Sequence, residues 1–164
     1  MTLDSFEYPC AQCGMCCKQV GKVLENRAAV LPLLQDTPLG QYLVDFPYQA
    51  AEDGSCEMLE NNVCLVYDNR PTICNIKNFV ENLPSEQKVL HYLNNVDACN
   101  AMMDAADVDP SLRIDKQQVE SELHSLLTES AWMALKSPSA QSLVQSWYWL
   151  SLISTSSLAL TDDQ

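Results

Sequence analysis

The sequence predicts a mainly α-helical protein with a small, irregular, cysteine-rich lobe that contains a short β-hairpin. All eight cysteines lie between residues 10 and 99, whereas residues 100–164 contain none. Apolar residues recur at helical spacing in the cysteine-free part. The chain has 164 residues, of which 47% are hydrophobic, and this is sufficient for a buried core.

The N-terminal residues predict a lead-in followed by a tight turn. Residues 1–9 fit an extended segment. Cys10–Cys17 predicts a compact knuckle, because Gly14 allows backbone conformations that other residues avoid. Gln19–Leu24 fits a short strand.

The next elements are predicted from caps and turn signals. Residues 26–35 fit a helix with an N-terminal asparagine cap and an internal Pro32. Residues 37–51 fit an irregular segment because prolines and a glycine interrupt them. Ser55–Leu59 and Val63–Tyr67 flank an asparagine-containing turn, which predicts a hairpin.

Helices are predicted in most of the remaining chain. Pro71 suits the first turn of a helix. A serine cap predicts a second helix over residues 85–106, and an apolar stripe predicts a third over residues 111–135. After a Ser-Pro pair, residues 139–153 fit a last helix. We expect residues 1–82 to form the cysteine-cluster lobe. Residues 83–164 are expected to form a helical segment that packs on this lobe as one compact unit.

Charge excludes two classes of partner. Nine basic residues against 22 acidic ones give a formal charge of −13. Nucleic-acid binding through phosphates needs clustered basic residues, and anionic membrane surfaces repel such a chain. No apolar run reaches the length of a membrane span. The N-terminus has no basic and apolar leader, so we expect the protein to be made in the reducing cytoplasm.

The first cysteine cluster has the spacing of a metal-binding knuckle. Two residues between successive cysteines let their thiolates point at one metal ion or cluster from a tight turn. In a reducing compartment, eight cysteines favour metal or redox chemistry, and structural disulfides are the alternative. We therefore expect a metal-bound lobe, and its candidate ligands are Cys10, Cys13, Cys16, Cys17, Cys56, Cys64 and Cys74.

These motifs closely resemble the YkgJ-type cysteine-cluster family, described as a zinc- or iron-chelating CxxCxxCC domain. The resemblance covers residues 8–79. It rests on the CxxCGxCC knuckle, on Tyr67, and on the Arg70-Pro71 pair that precedes Cys74. Because some relatives carry a further cysteine after this point, Cys99 is an additional candidate ligand.

The resemblance also implies a cofactor and a setting. The same domain occurs fused to a flagellin lysine methylase together with a 4Fe–4S cluster, which implies iron–sulfur here. Small accessory proteins of this family occur in phage genomes, which implies a subunit of a larger assembly such as a phage particle.

Cysteine ligands alone do not distinguish zinc from iron–sulfur. We favour one 4Fe–4S cluster, with zinc as the alternative. Cys56 and Cys64 could complete a second site. The first four expected ligands are Cys10, Cys13, Cys74 and one of Cys16 and Cys17.

Arg70 and Tyr67 are expected beside the ligands. A cationic hydrogen-bond donor stabilises the negative charge of a thiolate-bound cluster and tunes its potential. The other interpretation of Arg70 is an ion pair with Asp68 or Glu57 on the surface.

Three neighbouring aromatic residues predict a contact with other protein subunits. Trp147, Tyr148 and Trp149 lie on the last predicted helix and face different directions. One face can pack on the core while another docks a partner, since exposed Trp and Tyr are typical interface anchors. A fully buried helix is the alternative.

The motifs favour a protein without catalytic machinery. The chain has no glycine-rich phosphate loop, and no nucleophile–histidine arrangement can be argued from it. We expect a metal-cluster-binding structural or interaction protein. The alternatives are a redox or protein-modification accessory factor that uses the cluster, and an adaptor stapled by zinc.

Overall fold

The computed structural model describes residues 3–34, 36 and 38–137. In this part of the chain, seven α-helices and one two-stranded antiparallel sheet are joined by turns and short 3-10 helices. The predicted fold class, mainly α with a short hairpin, is confirmed. The helices are α1 (Met15–Glu25), α2 (Arg27–Leu34), α3 (Pro38–Val44), α4 (Ile76–Val80), α5 (Ser85–Ala105), α6 (Lys116–Ser125) and α7 (Glu129–Leu135), and the strands are β1 (Leu59–Glu60) and β2 (Val63–Cys64).

Helix α1 replaces the strand predicted over Gln19–Leu24. It begins after Gly14, whose φ of 76° confirms the predicted turn at this glycine. The strand prediction is wrong because burial in this segment follows a helical period, which a window of six residues does not reveal. The buried residues of the helix are Met15, Cys17, Gly21 and Leu24.

Helices α2 and α3 form the next part of the chain. α2 matches the predicted helix and includes Pro32. α3 lies in residues 37–51, which we predicted to be irregular. Its first residue is Pro38, a position that needs no N–H donor. Leu43 is only 2% exposed, and burial of this side chain outweighs the weak local helix signals.

The predicted hairpin is confirmed, although its strands are shorter than expected. Leu59 pairs with Cys64, and Glu60 pairs with Val63. Asn61 and Asn62 form the turn with φ values of 51° and 62°. Two positive φ angles in a two-residue loop match the twist of a hairpin, and asparagine tolerates them.

The helix predicted at Pro71 is wrong. Thr72–Cys74 forms a 3-10 helix, and Asn75 is extended before α4 begins at Ile76. The lead-in also differs from its prediction, since Leu3–Ser5 is a 3-10 turn with a buried leucine.

The C-terminal helices follow their local caps. α5 confirms the helix predicted from Ser85. The single helix predicted over residues 111–135 is instead two helices. The cap at Leu126 ends α6, and the Thr128 hydroxyl accepts a hydrogen bond from the Ala131 N–H at the start of α7 (3.3 Å). This side-chain cap lies within the apolar stripe and therefore interrupts the predicted helix.

The described residues divide into two compact units. The first comprises those of Met1–Tyr8, Val80–Ala98 and Asp115–Gln164. In its core Phe6 packs edge-on against Tyr92, with ring centroids 4.8 Å apart. Other buried side chains of this unit include Leu3, Val80, Val89, Val96, Val119, Leu123, Trp132 and Leu135.

The second unit comprises Pro9–Phe79 and Cys99–Ile114. Its buried side chains include Leu24, Leu43, Phe46 and Met103, together with two cysteines. The predicted division of the chain at residue 82 stays a prediction.

No helix in the described part of the chain is both long and apolar enough to cross a bilayer. The helix predicted over residues 139–153, with the proposed docking residues Trp147, Tyr148 and Trp149, lies outside the described residues.

Candidate metal centre

Four cysteines from four separate segments line one cavity in the second unit. They are Cys17 of α1, Cys56 before β1, Cys64 of β2, and Cys74 at the end of the Thr72–Cys74 turn. The cavity volume is about 10 Å³. Its wall also contains Arg70 and a set of mainly apolar side chains: Val20, Phe46, Tyr48, Met58, Val66 and Pro71.

A glycine brings the first two cysteines together. The Cys56 N–H donates a hydrogen bond to the Cys17 carbonyl (3.1 Å). A Cβ atom on Gly21 would lie 2.2 Å from the Ser55 carbonyl carbon and 2.4 Å from the Gly54 oxygen. Only a residue without a side chain therefore lets this loop reach α1. The close contact explains a glycine in mid-helix, which costs about 1 kcal/mol relative to alanine.

The hairpin and a 3-10 turn position the other two cysteines. Cys64 pairs with Leu59, whose N–H in turn donates to the Cys56 carbonyl (2.9 Å). The Cys74 N–H donates to the Pro71 carbonyl (2.8 Å). Cys74 thus ends a 3-10 turn and does not lie in the α-helix predicted to begin at Pro71.

Arg70 supplies positive charge at the cavity. Its guanidinium lies over the Tyr67 ring, with 3.8 Å between Cζ and the ring centroid. Its Nε is buried and has no hydrogen-bond partner among the residues that the structure describes. A buried N–H without an acceptor is costly, so this donor is suited to a sulfur acceptor in the cavity. Arg70 takes part in none of the ion pairs recorded among the described residues.

Cys16 and Cys17 have different surroundings although they are adjacent. Cys17 is buried at the cavity, whereas Cys16 is exposed. A hydrogen bond between their side chains lowers the pKa of the Cys16 thiol to about 6 and raises the pKa of Cys17 above its usual range. The Cys17 thiol therefore retains its proton and donates a hydrogen bond to the Cys16 sulfur.

Burial favours the protonated form of two further cavity thiols, Cys74 and Cys56. It raises the pKa of Cys74 to about 12, and the neighbouring thiols Cys16, Cys56 and Cys64 contribute to the same rise. Burial also raises the pKa of Cys56. Four thiolates in this apolar cavity would repel one another, so the charged forms require a compensating cation. Such a donor set fits a metal that displaces the thiol protons on binding.

The remaining cysteines lie away from the cavity wall. Cys10 forms a hydrogen bond with the Tyr67 phenol. The pKa of Tyr67 is raised mainly by burial and additionally by this hydrogen bond. Cys13 and Cys99 are half-buried and do not line the cavity. The structure thus brings four of the candidate ligands together with Arg70. The assignment of individual ligands stays a prediction.

The thiols surround the cavity without yet forming a coordination sphere. No group of three or more His, Cys, Asp or Glu side chains within the described ranges is arranged so that it could hold a metal ion as it stands. The cavity has room for about one water molecule. Ligation therefore requires movement of the cysteine side chains on a backbone that already brings them to one place.

Sequence reasoning missed Gly21. The signal was a glycine among residues that we assigned to a strand. Once the segment is known to be helical, an isolated mid-helix glycine indicates a close backbone approach.

A family model described as "CxxCxxCC: putative zinc- or iron-chelating domain" matches residues 9–101. This range is more than half of the 164 residues, and it contains all eight cysteines. No curated protein and no solved structure matches the chain. On the family match and the thiol-lined cavity within it, the chain belongs to the CxxCxxCC family of zinc- or iron-chelating domains.

Proposed function

We propose that the chain is a non-enzymatic subunit whose fold is stabilised by one 4Fe–4S cluster held by Cys17, Cys56, Cys64 and Cys74. The observation that carries this proposal is the convergence of these four thiols on one cavity with Arg70. The bound cluster would supply four iron–thiolate bonds between segments that are far apart in sequence.

A stabilising role is supported by the weakness of the surrounding secondary structure. Each strand of the hairpin has two residues, and Cys74 lies in a three-residue 3-10 turn. Isolated elements of this length are not stable in water. Metal ligation therefore contributes directly to the folding free energy of this unit.

Arg70 suits the negative charge of a thiolate-bound cluster. The buried Nε has no acceptor within the described residues, and bridging sulfides or thiolates of a cluster provide one. Hydrogen bonds to cluster sulfurs stabilise the negative charge and raise the reduction potential. Arg70 would be held in place for this by the Tyr67 ring beneath it.

The same four thiols support a second candidate, a single zinc ion. Four thiolates around one ion form a closed structural zinc site. In that case the protein is a zinc-stapled adaptor without a redox cofactor.

Assembly with other protein subunits, such as those of a phage particle, is also part of the proposal. Its support is the family resemblance, together with the apolar aromatic run Trp147–Trp149.

The first experiment measures iron, zinc and acid-labile sulfide per chain in protein purified without oxygen. About four irons and four sulfides, with broad visible absorption, are expected for the cluster. One zinc without sulfide would replace the cluster by the zinc adaptor. A reversible absorbance change on mild reduction would favour the redox alternative over a purely structural cluster.

The second experiment tests the ligand set with single serine variants. Cys17→Ser should lose the metal, whereas Cys16→Ser and Cys99→Ser should retain it. Cys13→Ser distinguishes the four ligands proposed from the cavity from the four ligands expected from the sequence spacing. Only the second set includes Cys13. Loss of metal in Cys13→Ser with retention in Cys17→Ser would contradict the proposed ligands.

A further inference from the structure

An apolar groove lies between α2 and α3, away from the cysteines in sequence. Its volume is about 340 Å³, within the range of ligand pockets. The lining residues are Ala28, Leu31, Pro32, Gly40, Gln41 and Val44. Val44 is 56% exposed, and Leu33 on the same helix pair is 70% exposed. The helices thus leave apolar surface open at the groove.

The groove has little to hold a polar small molecule. Gln41 is the only polar side chain among the described lining residues. Its amide nitrogen already donates to the Asp45 carboxylate (2.7 Å). Sites for small molecules usually combine apolar walls with several polar groups that fix the orientation. Apolar side chains of another chain are the better match.

The charge near the groove indicates which charge the partner chain should carry. The whole chain carries a formal charge of −13, and two of its carboxylates adjoin the helices of the groove. Asp36, between the two helices, and Asp45, directly after α3, are both exposed. Arg27, at the start of α2, donates to the Phe46 carbonyl (3.1 Å). A basic partner therefore gains favourable electrostatics, while acidic segments and a second copy of this chain are repelled.

We propose that the α2–α3 groove docks a cationic amphipathic helix of a partner protein. α2 has eight residues, which make about two helical turns. A partner helix that spans this length presents leucine-like anchors at positions i, i+3, i+4 and i+7 to the groove and lysines or arginines to the surrounding carboxylates. This inference uses no cysteine and holds whichever metal the protein binds.

The test uses a synthetic peptide and the full chain with its metal. A labelled peptide carries leucines at i, i+3, i+4 and i+7 and lysines elsewhere, and fluorescence anisotropy measures its affinity at physiological salt. A second peptide replaces the leucines with serines and keeps every lysine, so that it reports charge attraction alone. We expect the first peptide to bind at least about tenfold more tightly.

Two variants locate the binding site. Val44→Ser removes apolar surface in the groove and should weaken binding of the leucine peptide about fivefold to tenfold. Val63→Ser on the hairpin is the matched control, since both valines are 56% exposed and belong to the same unit. Ala28→Phe, which fills the groove from an exposed position, should also weaken binding. Metal content must be unchanged in all three.

Three results would overturn the inference. The first is equal binding of both peptides, which makes the attraction purely electrostatic. The second is an equal loss in Val44→Ser and Val63→Ser, which places binding elsewhere. The third is self-association of the chain that Val44→Ser abolishes, which makes a second copy the occupant.

Discussion

Gly21→Ala tests how the metal-binding unit is held together. The new methyl group would lie 2.2 Å from the Ser55 carbonyl carbon, 2.4 Å from the Gly54 oxygen and 2.5 Å from Ser55 Cα. All three atoms belong to the backbone, so no side chain can rotate away. The loop at residues 54–55 must therefore move away from α1.

The expected destabilisation is about 2 kcal/mol. Overpacking costs about 1–3 kcal/mol. Displacement of the loop also breaks the Cys56 N–H hydrogen bond to the Cys17 carbonyl, which is worth about 1 kcal/mol. Alanine recovers about 1 kcal/mol of helix propensity. The balance remains destabilising, and the loss falls on the contact that brings Cys17 and Cys56 together.

Urea unfolding of the metal-bound protein, with metal content measured on the same samples, provides the assay. Gly54→Ala is the control within the same contact. Its φ of 75° makes alanine strained by about 1 kcal/mol, yet the added methyl is 3.7 Å from the nearest atom, the flexible Glu25 carboxylate. Gly54→Ala should keep its metal. A Gly21→Ala protein that is more stable than wild type, as helix propensity alone predicts, would refute the reasoning.

Three further predictions concern single side chains. Asn100→Ala should lower the free energy of unfolding by about 2–4 kcal/mol in urea, because the Asn100 amide bonds both the N–H and the carbonyl of Ile114 (2.9 Å each) in a buried place. Burial lowers the pKa of His91 below its usual value, so the neutral form is favoured in the fold. Stability should fall as the pH drops through about 6.5, and His91→Gln should remove this part of the pH dependence in unfolding titrations. Thr128→Ala should cost about 1 kcal/mol, measured by thermal or urea unfolding, because it removes the cap on the Ala131 N–H.

Local signals predicted the elements that depend on local interactions. The hairpin was evident from Asn61 and Asn62, which tolerate the positive φ angles of its turn. The helix from Ser85 followed from its cap and apolar spacing. α1 and α3 could not be predicted in the same way. On α1, Gly21 is buried against the Ser55 backbone. This contact joins residues that are more than thirty positions apart in the sequence.

The candidate ligands followed from spacing, but their grouping did not. The sequence suggested that Cys56 and Cys64 serve a separate site from Cys74. The structure has all three at one cavity with Cys17. Spacing within a knuckle describes which thiols are near along the chain, whereas the cavity depends on how α1, the hairpin and the Thr72–Cys74 turn pack.

The different burial of Cys16 and Cys17 follows from the rotation of α1 about its axis. Adjacent residues of a helix point about 100° apart, so both thiols cannot face one cavity equally. Cys17, Gly21 and Leu24 are spaced i, i+4 and i+7, which places them on one face, and all three are buried. The missing side chain of Gly21 fixes this face against the Ser55 loop. Gly21 therefore determines which of the two cysteines is directed inward. Gly21→Ala should lose metal together with stability, whereas Lys22→Ala, an exposed change on the next residue, should affect neither.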